Sequence, residues 1–306
     1  MMIDGTVYDG SLKKYIEKSN NWIGENQLIV GENFKVLRSL EQSNIGKVFD
    51  LMYIDAPYNT GNEDFVGKEK GTCIDSWSEM IQKRLEIARE FIKKDGFIIM
   101  SIDDHEIANT RTILDKTFGK ENYVATFVWQ RRDYFEGEKD ISFEHEYFVS
   151  YRMSSESKVS KRVSTFIIPE KVLSVSSYTR SAGNKEIITS EYQNEAKEEI
   201  NKRFNQEAVT NYPKPVRLLK RIFEVFLKID QDNKVLDIFS GSGTTAESIL
   251  RGNYEHNKNN TFTLVQMPKL KKDKVYGSVE NLAVYRITQT MKDLKMNKKL
   301  HVIYSE

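Results

Sequence analysis

The sequence predicts an α/β protein: a mostly parallel sheet with helices on both faces, an antiparallel strand pair at one end, and a small additional lobe. Three observations carry this. Through the first half of the chain, short apolar runs alternate with helical periods, the pattern of a parallel sheet with crossover helices. Two β-rich runs at 123–130 and 144–152, joined by a long loop, break that alternation and read as an antiparallel pair. A strand, glycine loop and helix at 233–252 then resume it.

Each element follows from its own residues. QLIVG (27–31) is an apolar run closed by glycine, and NFKVLRSLEQ (33–42) suits a helix. KVFDLMYID (47–55) is a strand long enough for the sheet centre. Over 76–94, Trp77, Met80, Ile81, Leu85, Ala88, Phe91 and Ile92 share one helical face; Ser76 or Ser78 can cap its start, and Asp95-Gly96 ends it. FIIMSID (97–103) is the next strand, and 104–119 a helix closed by Gly119, with Asp103 or Asp104 as its cap. Residues 153–194 are rich in serine and threonine and hold no long apolar period, and 198–204 gives a weak amphipathic helix. PKPVRLLKRIFEVFLKI (213–229) is a strong helix with proline in the tolerant first turn. TFTLVQM (261–267) is a strand and 278–295 a closing helix. The expected division is one domain over 1–151 and 211–306, interrupted by the lobe at 152–210.

Bulk properties exclude several function classes. With 39% hydrophobic and 30% charged residues among 306, the chain is of the soluble globular class. A net charge of +1 makes any basic surface local. The single cysteine, Cys73, excludes an internal disulfide and fits a reducing compartment. The N-terminus has no apolar signal core and no run of 18 apolar residues occurs, so the expectation is a cytoplasmic protein with no membrane role.

In DIFSGSGTT, Asp237 ends a strand, and Gly241 and Gly243 precede a helix, so backbone can approach a ligand at the strand's carboxyl end. The dinucleotide pattern needs glycine at 246, which is Ala246, and no Gly-Lys-Ser/Thr follows for a phosphate loop. A loop without phosphate chemistry suits a ligand bearing an amino acid and an adenosine, such as S-adenosylmethionine. The same residues also suit a tight strand–helix turn with no ligand.

DLMYIDAPYNTG (50–61) ends a strand in a carboxylate, a proline and an aromatic ring. In a parallel sheet Asp55 lies at the same edge as the glycine loop. A base modified on its exocyclic amine must leave the duplex and enter a pocket. Asp55 can accept one hydrogen bond from that amine and the carbonyl of Ala56 a second. Tyr58 can stack on the ring, and Pro57 keeps residue 56 extended. Positioning and electrostatics would carry the rate without a metal. An ordinary strand and Asn-Thr-Gly turn is the alternative.

With both motifs placed, the chain resembles the β-class DNA adenine-N6 methyltransferases, above all the modification subunits of type III restriction-modification systems. Their Asp-Pro-Pro-Tyr-Asn-Thr-Gly motif precedes Phe-x-Gly-x-Gly, as IDAPYNTGNEDF here precedes FSGSGTT. NQLIVGEN (26–33), 76–106, YVATFVWQRR (123–132), EHEYFVSY (144–151), NYPKPVRLLKRI (211–222) and TLVQMPK (263–269) continue the match. The resemblance implies a Rossmann-like, circularly permuted methyltransferase fold and methyl transfer from S-adenosylmethionine to adenine N6. Asp55, Ala56, Pro57 and Tyr58 would hold the flipped adenine. Asp55, Asp237, Phe239, Ser240, Gly241, Gly243, Thr244 and Gln266 would line the cofactor, flanked by Lys214 and Pro215, with Glu32 and Asn33 near its adenine. Cytosine-N4 methylation is the rival within enzymes, its family usually carrying serine at position 55. A weakly catalytic cofactor- or DNA-binding subunit needing a second chain is the rival outside them. DNA is the implied partner; a homodimer, a recognition subunit and a cognate restriction subunit stay open.

Three departures stand out. Ala56 replaces proline but keeps the backbone acceptor, at a cost on the order of 1 kcal/mol or less in rigidity. Glu32 replaces aspartate, and Lys269 stands where glutamate would bind ribose hydroxyls, a role Gln266 could partly take. Residues 152–185 hold seven Lys/Arg, two Glu and eleven Ser/Thr, which suits phosphate contacts or a solvated loop. Arg131, Arg132, Lys158, Lys161 and Arg162 are the candidate DNA contacts, with Tyr134 as a stacking or wedging side chain. His105 and His145 lack a second histidine at ligand spacing, so no metal is expected. The lysines of PKLKKDK (268–274) suit a solvated turn.

Overall fold

The computed structural model describes residues 7–19, 22–59, 77–132, 144–169, 186–190, 192–204, 214–268 and 276–305. Cys73, Tyr134 and Lys269 lie outside these residues, as does most of PKLKKDK. The strands are β1 (Val7–Asp9), β2 (Asn26–Val30), β3 (Phe49–Ile54), β4 (Ile92–Ile102), β5 (Tyr123–Gln130), β6 (His145–Arg152), β7 (Val163–Pro169), β8 (Glu186–Ser190), β9 (Lys234–Asp237), β10 (Thr261–Gln266) and β11 (Leu300–Tyr304). The helices are α1 (Leu12–Lys18), α2 (Asn33–Gln42), α3 (Trp77–Ala88), α4 (Ile107–Phe118), α5 (Gln193–Arg203), α6 (Val216–Phe226), α7 (Thr244–His256) and α8 (Val279–Asp293).

All described strands join one 11-stranded sheet in the order β1-β11-β2-β10-β9-β3-β4-β6-β5-β7-β8. Pairing is parallel from β1 to β4, antiparallel on both sides of β6, and parallel again from β5 to β8. Among the described strands only β6 therefore runs against the rest, so its first residues lie at the edge where the other strands end.

Burial on both faces explains why β2 and β3 read as continuous apolar runs. One face packs against α1 to α4 through residues such as Leu12, Leu37, Ile81 and Leu114. The other packs against α6, α7 and α8 through Leu218, Phe223, Ile249 and Ile287.

Two expectations are corrected. The helix expected through Lys94 ends at Ala88, passes a 3-10 turn at Arg89–Phe91, and gives way to β4 at Ile92. Ile92 pairs with Phe49, and the Lys93 ammonium lies 2.9 Å from the buried Asp50 carboxylate, so sheet pairing overrides the helical period. Gly96 thus lies inside a strand, where a Cβ would stand 2.8 Å from the Asp50 carbonyl oxygen. Second, α4 begins at Ile107 with no side-chain cap, so neither Asp103 nor Asp104 caps it. Asp103 instead accepts from the His105 backbone N–H at 3.0 Å, and Asp104 from the Tyr147 hydroxyl at 2.9 Å.

The described residues between 152 and 204 add two strands to the sheet. β7 and β8 extend it beyond β5, and Ile167 and Ile188 enter the core beside α6. At the far end of α5, Ile200 and Phe204 pack on Leu282, Tyr276 and Tyr285 around α8.

Candidate active site

Tyr53 of β3 stands opposite Asp237 of β9, so residues 55–58 and the glycine loop leave the sheet side by side. The 55–58 segment is pinned from several elements. The Trp77 indole donates to the Pro57 carbonyl at 2.7 Å, and Asn59, in a left-handed conformation, donates to Glu106 at 2.6 Å. Ala56 is buried in the core beneath.

Asp55 is 30% exposed in its side chain, and its contacts are asymmetric. Ser101 donates to Oδ1 at 2.6 Å, Lys214 Nζ lies 3.0 Å from the same oxygen, and the Tyr58 hydroxyl 3.2 Å. Oδ2 has no hydrogen bond among the described residues. The carboxylate is thus held by one oxygen with the other left as an acceptor.

Lys214, 5% exposed, enters from the start of α6. Its ammonium also lies 3.1 Å from Glu146 Oε2, 2.7 Å from the Tyr58 hydroxyl and 4.8 Å from the centre of the Tyr58 ring. Burial works against the charge on Lys214, but Asp55 and Glu146 outweigh it and hold its pKa above the ordinary lysine value. Glu146 is 1% exposed and also accepts from Arg131 at 3.2 Å. Burial, then the charges of Asp55 and Glu146, pushes the Tyr58 phenol well above its ordinary value, so it stays protonated. The result is a lattice of two carboxylates, two cations and a phenol behind one carboxylate oxygen that has no hydrogen bond among the described residues.

The glycine loop is equally constrained. Asp237 Oδ1 accepts from the Phe239 N–H at 2.9 Å and Oδ2 from the Thr245 hydroxyl at 2.6 Å. Gly241 and Gly243 take left-handed conformations, and the Gly243 N–H donates to the Ser240 carbonyl at 2.9 Å. Ser240 Oγ is buried with no hydrogen-bond partner. Asn33, after β2 and so two strands away, ties that strand end to this loop by donating to the Ile238 carbonyl at 3.0 Å. Arg84 bridges Asn33 at 2.5 Å and Glu32 at 2.6 Å, and Glu32 also caps α2. Pro215 is the residue before α6, and Gln266 ends β10 with its amide turned to the Met267 carbonyl at 2.7 Å.

The candidate DNA contacts divide. Arg131 turns inward onto Glu146, and Arg132 follows it at the Asp55 edge. Lys158, Lys161 and Arg162 lie at the opposite edge. The reversed β6 carries the chain there, where Ser157 bonds the Gly96 carbonyl at 3.0 Å and Ser160 the Val225 carbonyl at 2.7 Å. Lys161 there pairs with Glu224 at 2.8 Å. His105 pairs with Asp103 at 2.9 Å, and His145 contacts Tyr147 and Asp104 at 2.7 and 3.3 Å.

Sequence reasoning missed Ser101, Glu146, Arg84 and Trp77. Glu146 is an acid that β6 buries, and its place at the site depends on the direction of that strand.

A family model described as DNA methylase matches residues 49–289. The Mod subunit of the StyLTI type III restriction-modification enzyme from Salmonella typhimurium is 26% identical over 91% of this chain and 59% of its own length, so the chain spans about three-fifths of that relative. Two solved structures share the fold. A putative DNA modification methylase from Thermus thermophilus, complexed with S-adenosyl-L-methionine, superposes with a TM-score of 0.55 at 16% identity, covering 92% of this chain and 99% of its own. The cytosine-N4-specific PvuII DNA methyltransferase also gives 0.55, at 12% identity, covering 98% and 99%.

Proposed function

Since the chain belongs to the DNA methylase family, we propose that it transfers a methyl group from S-adenosylmethionine to N6 of an adenine drawn out of DNA. The observation that carries this is Asp55 Oδ2, which has no hydrogen bond among the described residues and lies one strand from the glycine loop. Fold likeness does not choose the base, since the PvuII relative is cytosine-N4-specific; the carboxylate at position 55 and the likeness to type III Mod subunits favour adenine.

The cofactor reading rests on the loop. Ser240 Oγ is a buried hydroxyl without a partner, next to backbone that glycine leaves uncovered. Ser240, Gly241, Gly243 and Thr244, with Asp237 and Phe239 behind them, would hold the methionine and ribose portion; Lys214 and Pro215 would flank it. Glu32, Asn33 and Gln266, at neighbouring strand ends, would meet the adenosine. When bound, S-adenosylmethionine supplies an electrophilic methyl on a sulfonium.

Asp55 Oδ2 accepts an N–H of the target amine and draws its nitrogen toward a tetrahedral, nucleophilic geometry. It also faces the proton which that nitrogen must release. Ser101 and Lys214 fix the carboxylate through Oδ1, so little rearrangement is needed as charge shifts. Tyr58 offers its ring to the base. We further infer that residues 152–210 act in target recognition, since β7 and β8 end at the Asp55 edge, and that a second copy or a second chain enlarges this short region.

Labelled methyl transfer to DNA followed by nucleoside analysis tests the proposal. The expected product is N6-methyladenine, and Asp55→Ala should lower the rate by roughly a hundredfold or more. Methylcytosine, or an active Asp55→Ala protein, would overturn the assignment.

A further inference from the structure

We propose that Arg286, on α8 and outside the residues so far assigned to the site, is a positioning residue for the cofactor. It would set the affinity for S-adenosylmethionine by gripping the glycine loop from below. The inference rests on the cofactor reading above.

The loop needs an external support. Two left-handed glycines give it a backbone with many accessible conformations, and its own turn closes with a single Gly243-to-Ser240 hydrogen bond. Asp237 fixes one flank through the Phe239 N–H and Thr245. Arg286 fixes the other. Its side chain is 1% exposed; Nη1 donates to Ser242 Oγ at 3.1 Å and to Thr244 Oγ1 at 2.8 Å, while Nε donates to Glu247 Oε2 at 2.6 Å. Glu247 is itself buried and also holds Arg251 at 2.9 Å. One guanidinium therefore spans the loop at Ser242, the first residue of α7 at Thr244 and the next turn at Glu247.

α8 lies directly against the loop: a Cβ on Gly243 would stand in ordinary van der Waals contact with Ala283 Cβ, at 3.4 Å. A fastener between α7 and α8 alone would need only the pairing with Glu247. The bond to Ser242 is different, because Ser242 belongs to neither helix. A buried ion pair is costly to desolvate, and an apolar pair of similar volume could hold two helices together as well. The planar fork of arginine offers what an apolar side chain does not: fixed directions to three acceptors at once.

The test uses Arg286→Lys and Ser242→Ala in the full chain, with calorimetric titration of S-adenosylmethionine and steady-state kinetics. Lysine can keep the pairing with Glu247 but cannot reach Ser242 and Thr244 together. The dissociation constant and the KM for S-adenosylmethionine should rise about tenfold, the scale of one or two lost hydrogen bonds. The loss should appear in that KM rather than in kcat or the KM for DNA. Ser242→Ala should weaken binding in the same direction, and the double variant should add little further, because one contact is removed twice. Unchanged affinity in folded Arg286→Lys protein, or additive losses in the double variant, would reduce Arg286 to a helix fastener. If Arg286→Lys fails to fold, Ser242→Ala alone decides: unchanged affinity overturns the inference. A wild-type protein that does not bind S-adenosylmethionine would instead sink the functional reading itself.

Discussion

Asp237 commits both carboxylate oxygens to its own chain, one to the Phe239 N–H and one to Thr245. Burial nevertheless pushes its pKa up to about 7, from an ordinary 3.8, over the opposing pull of those hydrogen bonds. Between about pH 4 and pH 7 the unfolded chain therefore releases a proton that the folded chain keeps. Stability falls as pH rises through that window, by on the order of a few kcal/mol, and levels off above it. Asp237→Asn has no such proton. Urea unfolding from pH 4 to 8 should show a steeper decline for the wild type than for the variant, and parallel curves would refute the linkage. Single positions also show where sequence reading stopped. Asp55, Tyr58, Asp237 and the two glycines stood out because each interrupts a local pattern. Ser101 and Arg84 interrupt nothing in their own segments, and only the assembled sheet brings them to the site.

At the scale of elements, β4 shows how tertiary pairing decides a boundary. Its first residues carry an apolar spacing that also fits a helix, and the choice is made by Phe49 and Asp50 on the neighbouring strand. Gly96 is what that pairing requires, since a Cβ would press on the Asp50 carbonyl at 2.8 Å and on Ile92 Cγ2 at 2.7 Å. Gly96→Ala should cost about 1–3 kcal/mol, as overpacking does, read as a lower urea midpoint at unchanged slope. A loss below about 0.5 kcal/mol would mean that the strand shifts freely at this point. The short strands at 7–9, 163–169, 186–190 and 300–304 were not legible. VSTFIIP (163–169) shows no clear alternation, the other three are brief, and each is stabilised by a neighbour distant in sequence. The strong helix at 216–226 was legible because its apolar stripe packs directly beneath the central strands.

At the scale of the molecule, the sheet has two rims with different content. The rim where most strands end gathers Asp55, Tyr58, Glu146, Lys214 and the glycine loop. The other carries the 153–162 turn, with Lys158 and Arg162 exposed. Under the proposed function, a duplex engaged at Asp55 would lie on the rim opposite these basic residues. The double reversal Lys158→Glu/Arg162→Glu should therefore change DNA affinity less than about threefold and leave the slope of affinity against salt unaltered. If both were phosphate contacts, the slope would fall by nearly two. No helix among the described residues is long and apolar enough to cross a membrane.

The reversal of β6 separates chemistry from scaffold in a way that can be exploited. Because that strand delivers Ser155 and Glu156 to the bottom rim as exposed turn residues, a reporter peptide grafted between them would hang clear of the rim that carries Asp55. The protein could then be tethered to a surface or dye-labelled by that handle with the opposite rim left open for assay of the proposed activity.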